Sequence, residues 1–473
     1  MNANGASGAR GLRLAIALCV YVIPGLPWGA PLPAGQPNEP YPAVLPGDSA
    51  SVTCPVGSGP GTALSLANAV DLALCNNPQI RAAWANIRVR AAAVGVARAA
   101  DWPTLSVSVS ELNDRTAYSG AQSPATDTTG TMVVGEFDWR LFDFGGRSAM
   151  RHAAQALLEA AVASRDATIQ KILGAVVQAY FGAVTAKAAA DDRTQDESIA
   201  RETLASAKRR EAKGGGSHND TLQATTALAR ASLDKNRAKG TYQKALAVLL
   251  YSMGVPAGRL INLAGDVDLR TGTEENDLSG WLKDTEQRHP AIVAARAAVA
   301  AAEDQVVAAR SAGRPTIDLT ANYYQNGFPY QGLTSTNTRV ATVGVTVTVP
   351  LFDGFATHYS VEAAQATVRV REAELEDTRE TTLMEVVQAY ADAHSSLLNL
   401  TASGDLLTAA QAAFESSERR YAEGAADILE ILSAQSGLAD ARSERTRCLA
   451  EWRSARLNLL ASAGILNASD LKD

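Results

Sequence analysis

The sequence of 473 residues predicts a mainly α-helical chain with a small β part, built from two copies of one structural half. The duplication is visible directly. Asn77-Pro78-Gln79-Ile80 opens an alanine-rich stretch that stops at Asp101-Trp102-Pro103-Thr104. His289-Pro290-Ala291-Ile292 opens another that stops at Gly313-Arg314-Pro315-Thr316, and both prolines recur at a spacing of 212. Leu141-Phe142-Asp143 returns as Leu351-Phe352-Asp353, and Val176-Val177-Gln178-Ala179-Tyr180 as Val386-Val387-Gln388-Ala389-Tyr390, each 210 positions on. A period this long is no solenoid unit and reads as a duplicated half-subunit. Composition agrees. Alanine is abundant and aromatic residues make up only 5%, which favours long helices packed through small side chains.

In chain order, Arg10 and Arg13 precede an apolar run over 14–23, and a small residue follows at Ala30. Residues 1–30 are therefore expected to be an export signal, the alternative being a buried N-terminal helix. Residues 31–62, rich in proline, glycine and serine, read as an irregular leader. The first repeat is assigned to 63–265. It holds a helix over 66–99 that stops before Pro103, strands near 104–112 and 131–141, and a long helix over 147–213. That helix meets Gly214-Gly215-Gly216, and another follows over 220–253. The second repeat, 277–464, copies this plan with a helix over 278–312, strands near 316–324 and 338–350, and helices over 356–422 and 427–463 divided at Gly424. Residues 465–473 form a tail. Helices of about 65 residues would be about 100 Å long. Such lengths need partner helices throughout, which suggests an antiparallel, coiled-coil-like wall.

The strands alternate with period two. Ile317, Leu319, Ala321 and Tyr323 alternate with polar residues, as do Val343, Val345, Val347 and Val349. Leu105, Val107 and Val109 do the same against serines, and Phe137, Trp139 and Leu141 against Glu136, Asp138 and Arg140. One apolar face fits a soluble antiparallel sheet, and equally a membrane barrel with lipid outside and water inside. Beyond the signal no apolar stretch is expected to form a membrane helix. Four strands cannot close a barrel, and lipid excludes open edges. If these strands span a membrane, several subunits must pool them, and three copies would give twelve. The polar segments 111–130 and 325–337 suit exposed hairpin ends. Trp102, Trp139, Tyr323, Tyr324, Phe142 and Phe352 flank the strands, either as interfacial girdles or as an aromatic core.

Other function classes find little support. The net charge is −7 and no basic run is present, so nucleic acid is not an expected partner. The pattern of a phosphate-binding loop is absent, and so is a nucleophile motif. His152, His218, His289, His358 and His394 have no ligand spacing. Neither an enzyme nor a cofactor is therefore expected. In an oxidising compartment Cys54 and Cys75 can pair; unpaired thiols at Cys54, Cys75 and Cys448 are the alternative.

In this order the features resemble the TolC-like outer-membrane factors. The resemblance rests on the duplication, the helix–proline–strand junctions and Pro350-Leu351-Phe352-Asp353-Gly354, which looks like the family's strand-exit motif. It also rests on Tyr421-Ala422-Glu423-Gly424 followed by Asp427-Ile428-Leu429-Glu430, which looks like its helical tip, and it covers about 63–464. Some positions depart from the pattern. Phe355 stands where a second glycine is common, and Arg140 replaces the proline in the first half. The second tip turn is short, and the arginine expected in it is absent. Within the family the chain looks closest to the components that serve type I export of an adenylate-cyclase haemolysin toxin.

The resemblance implies a homotrimer whose twelve-stranded barrel sits in outer-membrane lipid and continues as an α-helical tunnel across the periplasm. A periplasmic adaptor protein and an inner-membrane ABC transporter would dock at the helical tips, and a secreted protein would be the substrate. A small-molecule or drug efflux duct is the alternative within the fold; a periplasmic coiled-coil scaffold without a pore is the alternative of another class. Asp427 and Glu430 would form an acidic ring at the tunnel entrance, although their spacing also suits a helix cap. Tyr421 and Asp220 would latch the tip through a hydroxyl donating to a carboxylate. Alternatively Asp220 caps its helix, with Gln223 as reciprocal partner.

Overall fold

Proline decides where the first helices of each half begin. The stretches predicted as single helices over 66–99 and 278–312 are each broken in two. α1 (Leu66–Asn76) gives way to α2 (Pro78–Ala99), and α5 (Leu278–Arg288) to α6 (Pro290–Ser311). Pro78 and Pro290 have no amide hydrogen to continue the first helix, but each suits the opening turn of a second. The residue before each is extended, Asn77 at φ −64°, ψ 124° and His289 at φ −60°, ψ 127°. Both cap the new helix. Asn77 Oδ1 accepts from the Gln79 amide at 2.8 Å, and His289 Nδ1 from the Ala291 amide at 3.2 Å. In this computed structural model, residues 63–116, 126–258, 261–264, 277–326, 338–467 and 470 are described.

The remaining elements are β1 (Thr104–Thr116), β2 (Thr126–Phe142), α3 (Gly146–Ala212), α4 (His218–Ser252), β3 (Thr316–Gln325), β4 (Arg339–Thr348), α7 (Ala356–Ala422) and α8 (Ile428–Ser462). α3 and α7 each have 67 residues, about 100 Å of helix. α3 packs on α4, α6, α8 and α2, while α7 packs on α8 and α6. One apolar window of α3, with mean hydropathy 1.4, is long enough to cross a membrane, contrary to expectation. Half of it is buried within the fold. Leu173, Val176, Val177, Tyr180 and Phe181 supply its core, against Leu66, Ile80, Leu249 and Met253. The buried Tyr180 hydroxyl donates to the Leu64 carbonyl at 3.2 Å. Smaller clusters form around Trp281, Val386 and Leu459, and around Phe414, Tyr421, Ile428 and Ile431 near the helical tips.

The four strands form one antiparallel sheet in the order β1-β2-β3-β4. The register lines up the alternating residues. Leu105 pairs with Phe137, Phe137 with Ala321, and Ala321 with Val343; Trp139 pairs with Leu319, and Leu319 with Val345. The alternating apolar residues from Leu105 to Val109, Phe137 and Trp139, Ile317 to Tyr323 and Val343 to Val347 thus fall on one face, with Leu141 displaced by an irregularity between Arg140 and Phe142; Leu112, Met132, Val134, Tyr324 and Val340 lie on the other. That face is open to solvent in the single chain: Leu105 is 72% exposed and Val343 78%. Among the described residues β1 and β4 each keep an unpaired edge. β1 and β2 run farther than the sequence pattern suggests, because pairing continues through polar residues as far as Thr116 opposite Thr126. The aromatic core alternative fails for Trp102 and Phe352, which are 73% and 78% exposed. Cys75 is disulfide-bonded and Cys448 is a buried free thiol; Cys54 lies outside the described residues, as do the predicted signal and leader.

The half-repeat elbow at His289 carries an acid sensitivity that Asn77 lacks. Burial pushes the His289 imidazole down to about 4, and a protonated Nδ1 could not accept from Ala291. Lys171, Asp377 and Glu385 line the same cleft. Between the ordinary histidine value of 6.5 and about 4, the unfolded chain binds a proton that the folded chain refuses. Stability is therefore complete above that window and is lost as pH falls through it, by about 2–3 kcal/mol. His289→Asn, which copies the cap of the first half, should abolish this loss. Thermal melting at pH 7 and pH 4.5 checks it.

Candidate functional site

Two kinds of junction position the chemistry of this chain: the strand exits at one end of the long helices and the tip turns at the other. At each exit, two successive residues turn left-handed before the helix starts. Phe144 and Gly145 have φ 53° and 89°, and Gly354 and Phe355 have φ 65° and 67°. The second half therefore uses Phe355 where glycine would be strain-free. The aspartates explain the exit motif. Asp143 Oδ2 accepts from the Arg147 amide at 2.8 Å, and Asp353 Oδ2 from the Thr357 amide at 2.9 Å, so each caps the first turn that follows. Pro350, Leu351 and Phe352 lead into that turn, and all three are exposed.

At the tips the repeat reappears residue by residue. Arg210 and Arg420, Ser217 and Asp427, and Asp220 and Glu430 are pairs 210 positions apart. Ser217 and Asp427 are the N-caps of α4 and α8. Asp427 Oδ1 accepts from the Glu430 amide at 2.8 Å. The Glu430 carboxylate does not close a reciprocal box; it pairs with Arg420 Nη1 at 2.7 Å. Arg420 Nη2 also donates to the Ala425 carbonyl at 3.4 Å, holding the short turn closed. Of the two predicted entrance acids, Asp427 is exposed and free of any cation partner among the described residues, while Glu430 is compensated.

The expected latch differs from the prediction. Asp220 is not the cap with Gln223 as partner. It sits at N3, opposite the extended Ser217, and the two close a capping box: Ser217 Oγ accepts from the Asp220 amide at 3.1 Å, and Asp220 Oδ2 from the Ser217 amide at 3.3 Å. The Asp220 carboxylate thus accepts from both the amide and the hydroxyl of Ser217. Its effect on Tyr421 is coulombic and small: burial raises the phenol above its ordinary value, Arg210 opposes this, and Asp220 adds the least. Tyr421 is instead held by Arg210. The guanidinium lies 4.5 Å from the Tyr421 ring centroid and donates to the Tyr421 carbonyl, while Nη2 donates to the Gly215 carbonyl at 3.3 Å. Sequence reasoning missed Arg210, Arg420 and Ser217. The 210-residue offset that revealed the duplication could have found them.

Farther from the turns, adjacent acids on α3 tie it to both neighbours. Glu197 accepts from Lys235 at 2.8 Å and Ser232 at 2.7 Å on α4, which lowers it to about 2. Asp196 faces Arg442 of α8 at 3.7 Å.

Comparison with known proteins gives one consistent group. The pattern of the outer membrane efflux protein family matches residues 69–255 and 281–465. The chain is 36% identical to protein CyaE of Bordetella pertussis over 408 residues, covering 86% of this chain and 85% of that protein. It is 25% identical to the proteases secretion protein PrtF of Dickeya chrysanthemi, covering 89% and 92%. Among solved structures, the outer-membrane channel OprN superposes with a TM-score of 0.74 at 21% identity, covering 84% of this chain and 89% of that one.

Proposed function

The chain belongs to the outer membrane efflux protein family, and from that premise we propose that three copies form a conduit for type I secretion of a protein toxin. The protein is an outer-membrane channel component that extends into the periplasm. The observation that carries the proposal is the sheet: one continuous apolar face, with unpaired edges on β1 and β4. Lipid accepts the face but excludes the edges, so β4 of one copy pairs with β1 of the next until the barrel closes. Three copies supply twelve strands, and the paired long helices continue the passage on the periplasmic side. A scaffold without a pore gives no reason for such a sheet.

In this reading residues 1–30 are a removed signal, 31–62 a leader, and 63–265 and 277–464 the two repeats. Cys54 is the partner of Cys75. Asp427 lines the entrance at the tips, where a periplasmic adaptor and an inner-membrane ABC transporter dock and drive transport. Support for a protein substrate comes from the near-full-length match to a relative named for protease secretion. Small-molecule efflux is the second reading, favoured by the family's own description.

Planar-bilayer recording of the purified protein tests the conduit. Small cation-selective channels from a heat-modifiable trimer are expected, whereas a soluble protein with no membrane fraction would sink the idea. Deletion separates the two substrates: loss of one secreted protein with unchanged drug sensitivity supports secretion, and the converse supports efflux.

A further inference from the structure

We propose that Arg81 of one copy seats against Glu374 and Asp377 of the next, an ionic clasp that joins the bare edges of neighbouring copies and admits them only head to tail. It rests on the conduit reading above and names the residues by which one copy accepts the next.

The internal repeat supplies the geometry. α6 packs on both α3 and α7, whereas its counterpart α2 packs on α3. The flank that α3 turns to α6 has its counterpart on α7, and the flank that α6 turns to α3 has its counterpart on α2. Within the chain α3 and α6 meet so closely that Ser311 leaves no room for a Cβ at Gly146. Ala149 and Ala153, beside Gly146 on α3, are buried, and so is Ala301 on α6. Their repeat counterparts Tyr359, Ala363 and Val89 are exposed, Tyr359 by 65% and Val89 by 63%. Each bare flank has the shape of the partner that the other lacks, so a second copy covers both. The unpaired edges of β1 and β4 lie on the same two sides of the repeat.

Eighteen residues make about five helical turns. In antiparallel helices the facing pair Gly146 and Ser311 therefore recurs, on the same faces, as Ser164 and Val293. The cleft beside the His289 elbow is lined by Ser164 and Ala167 together with Ala291, which keeps these segments adjacent. Shifted by the repeat offsets of 210 and 212, Ser164, Ala167 and Val293 become Glu374, Asp377 and Arg81. An uncharged trio inside the chain becomes a charged one between copies. Arg81 and Asp377 are exposed. Arg371 donates to one oxygen of Glu374 at 2.6 Å, which leaves the other oxygen, and Asp377 one turn on, for the incoming guanidinium.

The same imbalance runs along both edges. α2 holds Arg81, Arg88, Arg90 and Arg98 and no carboxylate, while α6 holds two residues of each sign. Residues 356–385 of α7 hold seven carboxylates against three arginines, and the matching 146–175 of α3 hold two against four cations. Two α2 edges, or two α7 edges, therefore repel, which opposes pairing of β1 with β1 or of β4 with β4. Only the head-to-tail order, the one that closes into a ring, brings opposite charges together.

Cross-linking of the purified protein with a short bis-maleimide, in a Cys448→Ala background, tests the contact. Arg81→Cys/Glu374→Cys should give covalent dimers and trimers after denaturation. Ser164→Cys/Val293→Cys, the equivalent pair inside one chain, should cross-link and run as a monomer. Charge reversal tests the ion pair. Arg81→Glu and Asp377→Arg should each lower the temperature at which the trimer band dissociates, and the two together should recover most of the loss. Raising salt should lower the wild-type dissociation temperature towards that of Arg81→Gln. Monomer-only products from Arg81→Cys/Glu374→Cys in an assembled trimer, or a double reversal no more stable than the worse single one, would overturn the clasp and leave the conduit intact. A wild-type protein that forms no trimer would overturn the conduit, and the clasp with it.

Discussion

Removing Arg420 and Glu430 together should leave the channel's reversal potential close to wild type, while Asp427→Asn alone should bring it most of the way to zero. The expectation follows from charge at the tip. Arg420 and Glu430 are 2.7 Å apart, and at that separation an ion several ångströms away sees little net charge from the pair. Asp427 has no such partner among the described residues and is exposed. Three subunits would therefore present three uncompensated carboxylates, not six. Three unit charges about 10 Å from an ion in water raise its relative occupancy roughly fivefold at low salt, with less effect as salt rises. Arg420→Gln alone should strengthen cation preference, because it exposes Glu430. Asparagine is as good an N-cap as aspartate, so Asp427→Asn should preserve α8 and isolate the electrostatic effect. Reversal potentials in asymmetric salt measure all four proteins. A double variant Arg420→Gln/Glu430→Gln whose potential moves as far as that of Asp427→Asn would show that the pair is broken in the channel.

Gly254→Ala should cost about 2–5 kcal/mol and lower the melting temperature of the protein far more than Gly258→Ala. Gly254 ends α4 at φ 67°, and a Cβ there would meet the Asn76 carbonyl oxygen at 2.7 Å and the Asn77 Cα at 2.9 Å. These are main-chain atoms of the elbow between α1 and α2, which Asn77 Nδ2 also fastens to the Ser252 carbonyl at 3.0 Å. Overlap with main chain cannot be relieved by a rotamer change, so the overpacking cost adds to the cost of a left-handed alanine. Gly258 has φ 100° but open space around its Cβ, so only the second cost applies. Gly464 repeats the arrangement in the second half, where a Cβ would meet His289 Cδ2 at 2.7 Å and Pro290 Cδ at 2.8 Å. There the obstacle is partly side chain, and Gly464→Ala should cost less than Gly254→Ala. Equal melting temperatures for Gly254→Ala and Gly258→Ala would refute the close contact.

The sequence by itself determined the features that depend on local physics. Helix ends followed from Pro103, Pro315, Gly214 and Gly424, and strand faces from period-two alternation, because both signals are carried by near neighbours in the chain. The duplication was legible for the same reason: two segments that fold alike keep the same turn and cap residues at the same spacing. Tertiary structure decided what depends on residues brought together from afar. The breaks at Pro78 and Pro290 were written locally, but the close packing of each elbow against the helix ends at Gly254 and Gly464 was not. The polar ends of β1 and β2 became strands only because each had the other to pair with. At the tip, Asp427 and Glu430 look alike in sequence, yet one is free and the other compensated, since Arg420 lies ten positions before Glu430 and only the turn between them folds it back. Tyr421 and Asp220 suggested a hydroxyl bond, but in the fold Ser217 donates to the Asp220 carboxylate and Arg210 lies on Tyr421. A hydrogen bond goes to the group that the fold places within reach, and local pattern does not record that distance.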